Sequence, residues 1–266
     1  MKPLSTPAAE AALAAAVGAL ALAAVLAPAT GLPAGYHDFA DQRAWLGLPN
    51  AMDVLSNAPF AALGVWGLAW LRRAATRVGA AQRALAALFF VGLIATAACS
   101  AGYHLHPDHA GLCLDRLGMS VAFAGLLGLA VADRLSARAG LALAAGVAVA
   151  APATALLALR GNMTPWALLQ GGGLLLLLAL ARRAPRPGAL GFSIAGVLLA
   201  YGAAKALELT DAPVFALTGQ LLSGHSAKHL LAAAAALAPI VALRRLAGAP
   251  QRWPRRAGLT PGGTLP

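Results

Sequence analysis

Charge is scarce in this chain. Only 11% of its 266 residues are charged, with nine acids against twenty bases, and there are two cysteines, six histidines and 6% aromatics. A soluble domain carries roughly 25% charged residues, so a water-facing surface of ordinary size cannot be made from this stock. Two cysteines cannot staple a disulfide framework. Disorder is excluded as well: 60% of the residues are hydrophobic and the mean hydropathy is +0.73, whereas disordered chains are poor in apolar residues. The alternating segments of ~10 residues that build a membrane barrel are missing too.

What the chain has is long apolar runs. A bilayer core of ~30 Å needs about 20 apolar residues per helix. Eight stretches approach that length: 8–28, 52–71, 84–104, 113–132, 139–159, 165–181, 189–208 and 217–243. In lipid the backbone must satisfy its own hydrogen bonds, so these are helices. The expected class is all-α: a polytopic membrane protein with a seven-transmembrane-helix core. An extra N-terminal helix or signal-like segment (1–30) and a loop (31–50) precede the core (51–245), and a basic Pro/Gly-rich tail (246–266) follows it. Lys2, an apolar run and Ala27-Pro28-Ala29 fit a secretory signal; Glu10 within the polar start argues for a retained helix.

The net charge of +11 is a topology signal. With the N-terminus inside, fifteen bases gather on one set of helix ends: Lys2; Arg72, Arg73, Arg77 and Arg83; Arg134 and Arg138; Arg182, Arg183 and Arg186; and Arg244, Arg245, Arg252, Arg255 and Arg256. The opposite loops hold Arg43 and Arg160 alone. The positive-inside rule makes the rich side, and the C-terminus, cytoplasmic. A nucleic-acid footprint is not needed to explain the charge. An Ala- and Arg-rich, Lys-poor composition points to a bacterial chain, hence an inner membrane.

Ionisable side chains inside membrane helices cost ~2.5–3.5 kcal/mol each on insertion scales and are functional candidates by default. Here they gather at one depth. The third span ends CSAGYHLH, with Ser100 and His104 four residues apart; the fourth opens GLCLDRLGM, with Asp115 about one turn inside; the last carries GHSAKH, with His225 and His229 four apart. Residues at i and i+4 share a helix face. Three helices thereby bring a Ser, an Asp and three His to the extracytoplasmic level. Three imidazoles with an open fourth position are the ligand set of catalytic zinc. Taken singly the signals are weaker: Ser100 can bond a helix carbonyl, and Asp115 can pair with Arg116.

Together these motifs resemble the alkaline ceramidase family, within the seven-helix CREST superfamily that also includes the progestin and adipoQ receptors. The resemblance covers about residues 36–243 and includes FADQR, PNAMDVLSN, SAGYH, LDRLGM and GHSAKH. It implies that His104, His225 and His229 hold zinc and that Ser100 and Asp115 complete a catalytic site. The implied reaction is zinc-dependent hydrolysis of a membrane lipid amide, ceramide or another N-acyl lipid, to a fatty acid and an amine. The alternative is a non-catalytic zinc-containing receptor or sensor of the same superfamily. A transporter would show internal repeats, and none is evident.

The family's eukaryotic members bind calcium in an acidic segment before the first core helix. Asp38, Asp41, Asn50 and Asp53 stand at the corresponding place as candidate calcium ligands; Arg43 among them departs from an acidic character, and Asn50 could instead cap the next helix. Lys205 and Glu208, three apart, can pair. Lys228 points about 100° away from His229, toward a headgroup or an acidic neighbour. Asn57 suits a bond between helices, Cys99 and Cys113 suit small core positions, and His106 and His109 fall in a solvated loop.

Overall fold

The computed structural model describes residues 5–248. Lys2, Arg252, Arg255 and Arg256, and with them most of the expected tail, lie outside the described residues. The described chain is all-α: α1 (Thr6–Leu26), α2 (Ala51–Leu55), α3 (Ala58–Arg73), α4 (Ala80–Leu105), α5 (His109–Arg134), α6 (Ala137–Ala158), α7 (Thr164–Ala181), α8 (Ile194–Leu209), α9 (Asp211–Leu217), α10 (Gly224–Ala234) and α11 (Leu237–Gly248). Seven helical segments are long and apolar enough to cross a membrane, counting α2–α3 and α10–α11 as one each.

Three of the expected boundaries are corrected. Residues 189–208 are not a full span: Ser193 accepts from Gly196 N (3.0 Å) and starts α8 only at Ile194. With 16 residues α8 is about 24 Å long, short of a bilayer core. The last span begins at Gly224 rather than 217. Gly219 and Gln220 take left-handed φ of 62° and 63°, which stops α9, and Ser223 caps α10 by accepting from Ser226 N at 2.9 Å. The span expected at 52–71 is interrupted at Ser56–Asn57, because Pro59 has no N–H to donate to Leu55. Pro239 interrupts the last span in the same way, after Ala234.

Small residues set how closely the central helices pack. A Cβ on Gly125 would lie 2.2 Å from Phe89 N, and one on Gly118 would lie 2.8 Å from Cys99 Cβ. Side chains at these crossings would force α4 and α5 apart. α1 lies against α7, where Gly172 leaves room for Leu20. Glu10 pairs with Arg138 and Ser136 at one end of the bundle, and at the other Thr164 Oγ1 donates to Pro28 O at 2.8 Å.

The two ends of the bundle differ. At one, Arg77 donates to the carbonyls of Leu246 and Ala247, Arg244 lies over Trp66 and Trp70, and Arg134 and Arg186 flank Asp133. At the other stand His104, the start of α5 and the start of α10, roofed by residues 36–43.

Candidate metal centre

His104 closes the last turn of α4, and His225 and His229 share a face of α10. All three are buried, at 1%, 6% and 5% exposure. One ring nitrogen from each lies within 4.8 Å of the others, and Nε2 of His225 is 3.3 Å from Nε2 of His104. This is a cluster that could hold a metal ion; among the described residues it is the one group of three or more His, Cys, Asp or Glu so arranged.

The surroundings aim the rings. Ser56, presented at the break between α2 and α3, donates to the Asp53 carbonyl at 3.1 Å and lies 2.8 Å from Nδ1 of His229. With its one proton committed to the carbonyl, the hydroxyl accepts from Nδ1–H, which leaves Nε2 of His229 as the free lone pair. Asp211 accepts from the backbone N of His225 at 2.7 Å and of Ala40 at 2.9 Å, tying α10 to the roof. The Phe39 ring covers His225 and His104, with centroids at 4.2 and 4.8 Å. Asn50, with a left-handed φ of 45°, donates to the His104 carbonyl at 2.9 Å.

Below the histidines runs a cavity of about 630 Å³, within the ~300–1,000 Å³ range of ligand pockets. Ser100, Asp115, Arg116, Lys205, Glu208 and Lys228 line its polar end. Ser100 faces the Asp115 carboxylate. Glu208 pairs with Lys205, as expected, and also accepts from Lys228 at 2.7 Å, so two ammoniums share one carboxylate. The rest is apolar. On α5 the lining residues Leu112, Asp115, Met119, Phe123 and Leu126–Leu127 form one stripe extending about 22 Å along the helix. Phe89, Leu93 and Leu177 lie toward the deep end.

Of the four candidate calcium ligands, Asp41 and Asp53 lie near each other, and each of the four has its own surroundings. Asp41 is paired with Arg43 at 2.7 Å, and that guanidinium holds its carboxyl below the usual range. Asn50 donates its amide N–H to the His104 carbonyl and makes no side-chain cap to α2. Asp53 is fully buried and accepts from Ser226 Oγ at 2.6 Å, while Asp38 stands apart at the cavity mouth. Asn57 donates within its own turn, to the Asp53 carbonyl (2.8 Å). His109 opens α5 and meets Nε2 of His37 at 3.1 Å, and His37 Nδ1 lies 2.8 Å from the Tyr103 hydroxyl. Cys99 and Cys113 are free.

Ser56, Asp211 and Phe39 were not anticipated from sequence. Each reaches a histidine from far along the chain or through the fold of a loop, and no local spacing announces such a contact. No family model, curated protein or solved structure matches this chain.

Proposed function

We propose that this protein is a zinc-dependent hydrolase of lipid amide bonds, ceramidase-like in its chemistry, with its site on the extracytoplasmic side of a bacterial inner membrane. The observation that carries the reading is the coincidence in one cavity of a buried three-histidine cluster, a Ser100–Asp115 pair and a long apolar stripe. A polar head containing an amide fits the first two, and an acyl chain fits the third.

The donor set suits zinc. Two nitrogens bound at ~2.0–2.1 Å in a tetrahedral site stand about 3.3–3.4 Å apart, and the two Nε2 atoms of His104 and His225 are 3.3 Å apart. Three neutral imidazoles leave a fourth position open, as catalytic sites require. Bound zinc supplies Lewis-acid polarisation of a carbonyl and lowers the pKa of water to about 7.

The remaining work falls to side chains. Asp115 takes the proton of the attacking water and returns it to the departing amine, general base then general acid. Ser100, facing that carboxylate, can donate to it or rotate its hydroxyl toward the oxygen that gains charge. Phe39 and the roof keep bulk water from the rings. The apolar stripe anchors the acyl chain and so places the amide at the histidines.

The test is fatty-acid release, read by mass spectrometry, from a panel of N-acyl lipids including ceramides, with chelated and His225→Ala proteins alongside. Metal-dependent release that His225→Ala abolishes is the expected result. Protein that retains one zinc and releases no fatty acid from any of these lipids would favour the non-catalytic receptor reading.

A further inference from the structure

Arg116 is unlike the other bases near the cavity. It is only 3% exposed, yet no carboxylate pairs with it among the described residues, whereas Arg43 has Asp41, and Lys205 and Lys228 share Glu208. Its side-chain hydrogen bond goes from Nη1 to the sulfur of Met163 at 3.0 Å, a weak acceptor. The guanidinium lies over the Trp166 ring, 5.2 Å from its centroid. A guanidinium carries five donors in a planar fork suited to carboxylate or phosphate. The neighbouring Asp115 carboxylate attracts it but is not within ion-pair distance, and burying a charge so incompletely met is costly, so retaining it beside a cavity calls for an anion from outside the chain.

Its position says where that anion belongs. Arg116 follows Asp115 on α5, about 100° around the helix, and both line the cavity. It stands at the mouth, since Met163 is bonded through its backbone N to Thr30 O above α7. The apolar stripe continues away from it toward Leu126 and Leu127. An amphiphile with its chain in the stripe and its amide at the histidines presents its head to Arg116.

We infer that Arg116 receives an anionic group, carboxylate or phosphate, borne by the head of the lipid substrate, so that the substrate class is an acidic N-acyl lipid. The inference rests on the lipid-amide reading for the word substrate; the anion site itself is a matter of binding. Trp166 orients the guanidinium face, and the remaining donors grip the anion. The lysine pair, half neutralised by Glu208, plays no part in this contact.

The test separates binding from turnover. Full-length zinc-loaded protein in lipid nanodiscs is titrated with hexadecyloxyacetate, which is anionic and has no amide to cleave, and with neutral 2-hexadecyloxyethanol. The expected result is a preference for the anion of about tenfold, the scale of a charge-assisted contact. In Arg116→Gln that preference falls to about twofold or less, with the neutral amphiphile binding as before; Arg116→Lys keeps an intermediate preference. Zinc content near that of the native protein certifies each variant's fold. An undiminished preference in Arg116→Gln would assign the anion to the metal or to the lysine pair and overturn the inference, as would equal binding of both amphiphiles to the native protein. Acetate and inorganic phosphate, added at the amphiphile's concentration, should not displace it; displacement would make the site one for soluble anions and overturn the lipid assignment. A parallel assay compares release from N-palmitoylglycine and N-palmitoylethanolamine. An Arg116-dependent preference in binding without release from either sinks the hydrolase reading and leaves the anion site standing. Release from both at equal efficiency, with no binding preference, does the reverse.

Discussion

Helix α5 carries the dipeptide Asp-Arg twice, at Asp115-Arg116 and Asp133-Arg134. The separation is five helical turns, so both pairs present the same face, roughly 27 Å apart at opposite ends of the bundle. Their surroundings differ. Asp133 is fully buried and accepts from Gly191 N at 2.8 Å and from Gln82 Nε2 at 3.4 Å. Arg134 pairs with it at 3.1 Å and donates to the Phe192 carbonyl at 2.7 Å. There the segment between α7 and α8 folds over the pair and meets its charges, which makes it a clamp. At the other end the neighbours stand back and leave a cavity: Asp115 turns to Ser100, and Arg116 meets a thioether and an indole. The same two residue types on the same helix hold structure together where the chain closes over them and line an open cavity where it does not.

The sharpest way to break this contrast is to remove one acid at a time. Asp115→Asn should lower turnover on the accepted lipid by about 10²–10⁴-fold and leave resistance to unfolding in detergent nearly unchanged. Asp133→Asn should do the opposite, since breaking a buried ion pair costs about 3–5 kcal/mol, with turnover per folded molecule preserved. Equal loss of stability in both proteins would end the distinction. Next in size, Ser56→Ala removes the acceptor that orients His229 and should weaken zinc binding by about 10–100-fold in metal-buffered titrations. Unchanged affinity would show that the ring needs no such support.

The smallest effect concerns the roof. His37 is half-buried against Tyr103 and His109, and burial, reinforced by the charge of His109, holds its pKa below the ordinary 6.5. A histidine with a lowered folded-state pKa stabilises the fold fully above its unfolded value, and that contribution is lost as pH falls through the folded value. Amide exchange in residues 36–43 should therefore accelerate as pH is lowered from about 7.5 to about 5, after correction for the intrinsic exchange rate. In His37→Gln the same scan should be flatter; an identical profile would assign the change to another group.

Hydropathy and spacing carried the reading a long way, and the reason is solvent. In a bilayer every apolar run must be a helix, and every buried ionisable side chain is a candidate for function. His104, His225 and His229 could therefore be grouped from their place on the helices and their common depth. Helix ends were less legible, because they depend on backbone states such as those of Gly219 and Gln220 and on caps such as Ser193 and Ser223. The grip of Ser56 on His229 was not legible at all: it needs the break at Pro59 and a contact across 173 positions.

Sequence alone determined an all-α membrane chain with its polar residues gathered at one level, because hydrophobicity and helical period are local properties. Only the tertiary structure decided that one carboxylate oxygen of Asp53 accepts from Ser226, and that Glu208 bridges two lysines. It also decided that Arg134 has its carboxylate in place whereas Arg116 is buried with no carboxylate at ion-pair distance among the described residues. Those outcomes depend on which distant segments close over each charge, and no local pattern encodes that.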